Sequence, residues 1–190
     1  MFRFQLPRLL KTALLACAFA APTAFAAPVA FDGVLDGTDS TFNRPVSLDS
    51  LSGVGTNAVY DVIGFRVSAN GVYSIETTSF SAPGSDTFLF LYQGSFDAAA
   101  PLQNLLQLDD DNGVGELSYL EQALTTGTDY LLVVTSFYNN DFGSYTGRFD
   151  TVTGGGVVLL DLNEVPEPGT LALLPLAALG LVLARRRRAN

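Results

Sequence analysis

Histidine and tryptophan are absent from this chain, and cysteine and lysine occur once each, as Cys17 and Lys11. Without histidine there is no Ser-His-Asp or Cys-His nucleophile, and the usual His/Cys zinc sites are excluded as well. A single cysteine permits no internal disulfide. Positive charge is scarce too. Between Ala27 and Glu164 only Arg44, Arg66 and Arg148 stand against eighteen acids, a formal charge of −15. Nucleic acid would be repelled by such a body, which suits an exported soluble domain or one that recruits cations. No phosphate-cradling glycine loop is present. Carboxylates remain plentiful, so the one enzymatic alternative is a carboxylate-based hydrolase.

What is present begins with a leader. "MFRFQLPRLLK" carries Arg3, Arg8 and Lys11, an apolar run follows, and Ala24-Phe25-Ala26 closes it. That order reads as a secretory signal peptide over residues 1–26, cut by signal peptidase after Ala26. Lipoprotein cleavage before Cys17 would leave barely one helical turn of apolar residues after Lys11. Removing the leader takes the only cysteine with it.

The body, residues 27–162, has the length of one domain. "VAFDGVL", "NAVYDVIGFRV", "GVYSIETTSF", "DTFLFLY", "DYLLVVTSF", "GSYTGRFDTV" and "VVLLDL" are rich in β-branched and aromatic residues. Turn clusters such as "SANG", "SAPGSD", "DDDNG" and "YNNDFGS" separate them. With the segments around Leu105 and Leu117, about nine strands are expected. The fold class is all-β, an antiparallel sandwich or jelly roll. "TFLFLY" and "YLLVV", apolar on both faces, belong in mid-sandwich. Leu124, Gly127 and Tyr130 have the spacing of a tyrosine corner.

"DTFLFLYQGSF", "LLQLDDDNG", Ser118, "LTTGTDYLLVVTSF" and "GSYTGRF" together resemble the bacterial pre-peptidase C-terminal domain, over roughly Tyr60 to Phe149. That resemblance implies a noncatalytic accessory or binding module, calcium-dependent in some relatives. The residues offer a place for the ion. Calcium takes several hard oxygen ligands on a bent loop, and Asp109, Asp110, Asp111 and Asn112 supply them, with Gly113 to permit the turn. The resemblance brings Asp86 within reach. An EF-hand register through Asp110, Asn112, Gly115 and Glu121 competes, although Val114 replaces a ligand and both flanks would have to be helical. A merely solvated turn has the same composition. Asp141 is a further candidate, in what reads as a hairpin turn.

The chain ends "VPEPGTLALLPLAALGLVLARRRRAN". A linker, residues 163–169, holds the Pro-Glu-Pro triplet. An apolar segment over 170–184 reads as a short transmembrane helix, and residues 185–190 as a cytoplasmic tail. Fifteen helical residues reach about 22 Å against a hydrocarbon core of about 30 Å. Arg185, Arg186, Arg187 and Arg188 would hold that end in the cytoplasm. Such a helix tethers briefly and anchors poorly. Val165, Pro166, Glu167 and Pro168, the helix and the arginines resemble the PEP-CTERM sorting signal of Gram-negative bacteria. The resemblance implies an exosortase as partner, cleavage near the triplet after transient inner-membrane tethering, and delivery to the cell surface or extracellular matrix alongside exopolysaccharide. The expectation is a noncatalytic binding or structural protein of that matrix, with Ca2+ as its one candidate cofactor.

Overall fold

The computed structural model describes residues 26–154 and 156–160. The leader apart from Ala26, the linker, the apolar tail segment and the arginine cluster lie outside these residues. Among the described residues there is no helix, and hence none long and apolar enough to cross a membrane.

The nine expected strands are β1 (Val29–Leu35), β5 (Ala58–Val67), β6 (Gly71–Phe80), β7 (Thr87–Gln93), β8 (Leu105–Asp109), β9 (Tyr119–Leu124), β10 (Tyr130–Ser136), β11 (Gly143–Thr153) and β12 (Val158–Leu160). Three more, β2 (Thr41–Phe42), β3 (Pro45–Ser47) and β4 (Ser50–Leu51), are two or three residues long. Runs that short show no alternation, so the sequence hides them.

A first sheet runs β1-β11-β6-β9 and a second runs β12-β5-β10-β7-β8, with β2 also paired to β5. Every pairing is antiparallel. The two sheets share one hydrophobic core, the arrangement of a β-sandwich. Alternation explains it: Phe31 and Leu35 of β1, Tyr73 and Ile75 of β6, and Phe149 of β11 point inward from the first sheet. Phe65 of β5, Leu89 and Leu91 of β7, and Leu132 and Val134 of β10 meet them from the second. Phe65 and Phe149 touch across the core with ring centroids 4.7 Å apart.

The second sheet is apolar on its outer face as well. Phe88, Phe90 and Tyr92 of β7 and Val133 of β10 form another core with Phe42 and Ala58. The Phe88 and Phe90 rings stack at 4.7 Å, and the Tyr92 hydroxyl donates to the Pro101 carbonyl at 2.7 Å. Both faces of "TFLFLY" are therefore buried, as its composition requires.

Consecutive strands rarely pair. Among the described residues only β3–β4 and β7–β8 are hairpins. "YNNDFGS", expected to close a hairpin, instead carries the chain from β10 in the second sheet to β11 in the first. Its Asn, Asp and Gly residues suit any reversal, so composition does not distinguish the two. The "LTTGTDY" corner forms: the Tyr130 hydroxyl accepts the Thr125 N–H at 2.9 Å, Gly127 sits at φ +80°, and Leu124 is buried.

A candidate metal centre between three loops

Strands β6, β8 and β10 end, and β7, β9 and β11 begin, at the same end of the sandwich, which gathers three connecting loops there. A buried hydroxyl cluster fixes them. Thr77 Oγ1 lies 2.8 Å from Thr87 Oγ1, which lies 3.0 Å from Ser118 Oγ. The Ser118 N–H faces both threonine hydroxyls at 3.0 Å, and its Oγ donates to the Thr87 carbonyl at 2.9 Å. Thr87 also donates its N–H to the Glu116 carbonyl at 3.1 Å. Asp86 is thus set at the head of a strand whose first residue is locked.

The β8–β9 loop brings Asp110 and Asp111 to the same point. One carboxylate oxygen from each of Asp86, Asp110 and Asp111 lies within 4.8 Å of the others. Oxygens bound to one calcium at about 2.3–2.6 Å are separated by at most about 5 Å, so the spacing fits. Asp86 Oδ1 and Asp110 Oδ1 are buried and have no hydrogen-bond partner among the described residues. Buried polar oxygens are costly unless something pairs with them. The donor set is all carboxylate, hard oxygen chemistry suited to calcium or magnesium rather than zinc.

Electrostatics mark the same place. Burial, with Asp111 and Asp86 close by, pushes Asp110 up to about 7; Arg44 opposes the shift. Burial, then Asp111 and Glu116, push Asp86 up to about 6, again against Arg44, while Asp141 adds a small upward contribution. The carboxylates repel one another, and a cation would turn that repulsion to attraction.

Two of the five sequence candidates face elsewhere. Asp109 is buried, and its Oδ2 accepts the N–H groups of Asn112 at 3.1 Å and Tyr119 at 2.7 Å. Its Oδ1 accepts the Asn112 side-chain amide. Asp109 and Asn112 brace the loop from within; Asp86, Asp110 and Asp111 converge outside that brace. The loop's glycines divide the work. A Cβ on Gly113 would collide with the Leu117 carbonyl, while Gly115 supplies a left-handed turn at φ +75°. The EF-hand register is overturned: its required flanking helices are strands β8 and β9. Glu121 lies on β9 beside the Tyr119 hydroxyl, which donates to it at 3.1 Å.

Sequence reasoning missed Arg44, a buried cation packed against Phe88 and Phe137. One signal was available, since it is one of three cations in an acidic body. The hydroxyl cluster was half visible, because Thr77 occupies an inward position between apolar residues of β6.

A separate shallow groove of about 530 Å3 crosses the outer face of the first sheet, lined by residues including Asp32, Val34, Thr78, Thr146 and Arg148. None of the three converging aspartates lines it.

Of the remaining candidates, Ala26 is the first described residue; Ala24, Val165 to Pro168 and Arg185 to Arg188 lie outside. Comparison with known proteins bears on this last group. No curated protein matches the chain. Residues 164–188 match the PEP-CTERM protein-sorting motif, which implies an exported, surface-directed protein processed by an exosortase.

Proposed function

We propose that the mature protein is a noncatalytic component of the cell surface or exopolysaccharide matrix, whose sandwich is stabilised by calcium held between Asp86, Asp110 and Asp111. The convergence of three carboxylates within 4.8 Å, two with unpartnered buried oxygens, carries the calcium part of this reading. When bound, the ion would supply positive charge linking the β6–β7 and β8–β9 loops. The sorting motif carries the export part. The likeness of Tyr60–Phe149 to the pre-peptidase C-terminal domain supports an accessory or binding role.

Incubating the mature domain with the producing organism's own exopolysaccharide, with and without calcium, tests the reading. Retention without chain scission is expected. Scission would establish the hydrolase alternative instead. Intact mass of surface-extracted protein tests the export part. It should lack residues 1–26 and everything beyond the neighbourhood of Pro168, and an attached arginine cluster would indicate a permanent anchor.

A further inference from the structure

Arg44 is 1 % exposed, and its guanidinium carbon lies 4.4 Å from the Phe88 ring centroid and 4.5 Å from that of Phe137. Nε and Nη2 donate to the Phe137 carbonyl at 3.1 and 2.9 Å, and Nη1 donates to the Pro45 carbonyl at 3.3 Å. The chain is shaped around this side chain. Arg44 N–H donates to the Gly55 carbonyl at 2.9 Å, Ser52 N–H donates to the Arg44 carbonyl at 2.8 Å, and a Cβ on Gly55 would collide with the arginine.

Its hydrogen bonds go to neutral carbonyls, and among the described residues no carboxylate reaches ion-pair distance of it. A buried charge still requires a counter-charge. Arg44 finds it through space. Phe88 lies two residues beyond Asp86, and Phe137, the other ring, donates its N–H to the Asp86 carbonyl at 3.3 Å. Burial pulls the guanidinium below its ordinary range, and Asp110 and Asp86 oppose that shift.

We propose that Arg44 is a resident competitor at the carboxylate cluster: its fixed charge keeps Asp86 and Asp110 together in the metal-free protein and weakens calcium binding there. This rests on the calcium reading above and names its regulation. A guanidinium held by two rings and two carbonyls cannot withdraw when a metal arrives. Calcium therefore binds against a standing positive charge, and the cluster responds to high extracellular calcium rather than to traces.

Two measurements on the full mature domain test it. In calorimetric titration with calcium chloride, Arg44→Met, which keeps the apolar stem, should bind calcium about tenfold tighter or more than wild type, because the repelling charge is gone. Arg44→Lys should stay within about threefold of wild type. Equal dissociation constants in wild type and Arg44→Met would overturn the competitor role while leaving the calcium reading intact. No binding to either protein would overturn the calcium reading.

The second measurement needs no metal. In chelator at pH 8, Asp110→Asn should raise the melting temperature more in the Arg44→Met background than in wild type. If Arg44→Met alone fails to fold, the double variant Arg44→Met/Asp110→Asn should recover a cooperative transition. A double variant that also fails to fold, or an equal gain in both backgrounds, would show that residue 44 does not balance the cluster.

Discussion

The Tyr145 hydroxyl reaches across the shared core and donates to Asp61 Oδ2 at 2.9 Å, joining β11 of the first sheet to β5 of the second. Gly33 makes the space, since a Cβ there would collide with the Tyr145 ring and approach the Asp61 carboxylate. Burial pushes the Asp61 carboxyl up while this hydrogen bond pulls it down, the burial effect being the larger. Tyr145→Phe keeps the ring and removes the donor from a half-buried acid. It should cost about 1.5–3 kcal/mol, the worth of a hydrogen bond to a charged group. Urea unfolding at pH 7 with an unchanged m-value would confirm it, and an unchanged midpoint would mean that water replaces the hydroxyl.

Tyr130 tests the corner in the same way, with a smaller effect. Its hydroxyl accepts from the Thr125 backbone at 2.9 Å, beside an exposed turn. Tyr130→Phe should destabilise by about 1 kcal/mol. A neutral result would remove the corner's contribution and leave the sandwich standing.

Calcium should separate the converging aspartates from the bracing one. At a hundred times its dissociation constant the ion stabilises by about 2.7 kcal/mol, visible as a rise in melting temperature. Asp86→Asn combined with Asp111→Asn should abolish the rise. Asp109→Asn should instead lower the melting temperature with or without calcium, because it disturbs the contacts to Asn112 and Tyr119. Sodium chloride at matched ionic strength is the control, since screening alone relieves a net charge this large. A sodium effect equal to calcium's would reduce the cluster to a solvated turn.

Protons should act on the metal-free protein in the same direction as calcium. Asp110 near 7 and Asp86 near 6 both lie above the 3.8 of an unperturbed carboxyl. The folded state therefore takes up protons that the unfolded state does not hold at these pH values. Stability linked to these groups is complete below about pH 4 and is lost as pH rises through 6 and 7. Asp111, Glu116, Asp109 and Asp141 strengthen the effect, and Arg44 weakens it. In chelator, the melting temperature should rise as pH falls from 8 to 5.5, and Asp86→Asn with Asp110→Asn should flatten that slope. A slope surviving in the double variant would place the titration elsewhere.

Strand identity was legible because the core is alternating and aromatic: Tyr73, Ile75 and Thr77 point inward as their spacing implies. "TFLFLY" announced a buried strand because a second core covers its outer face. Pairing was not legible. A turn such as "YNNDFGS" specifies reversal but not which sheet receives the next strand, a choice made by cores assembled from distant segments. The acidic loop shows the same division. Composition marked Asp109 to Asn112 as a group, yet which carboxylate turns inward depends on the N–H groups available from Asn112 and Tyr119. Arg44 stood out as a rare cation, but its burial was not legible because its partners, Phe88 and Phe137, lie far along the chain.

The scarcity of hairpins also sets a timescale. With only β3–β4 and β7–β8 joined locally, nearly every other ladder must bring together segments tens of residues apart. Strand β1 cannot complete its edge until β11 exists, more than a hundred residues later. Chains ruled by such distant pairings fold over milliseconds to seconds, because loop closure is paid before any contact rewards it. Among the described residues only the β2–β5 and β3–β4 ladders lie wholly within the N-terminal half, so the sandwich can assemble only once its last strands are available.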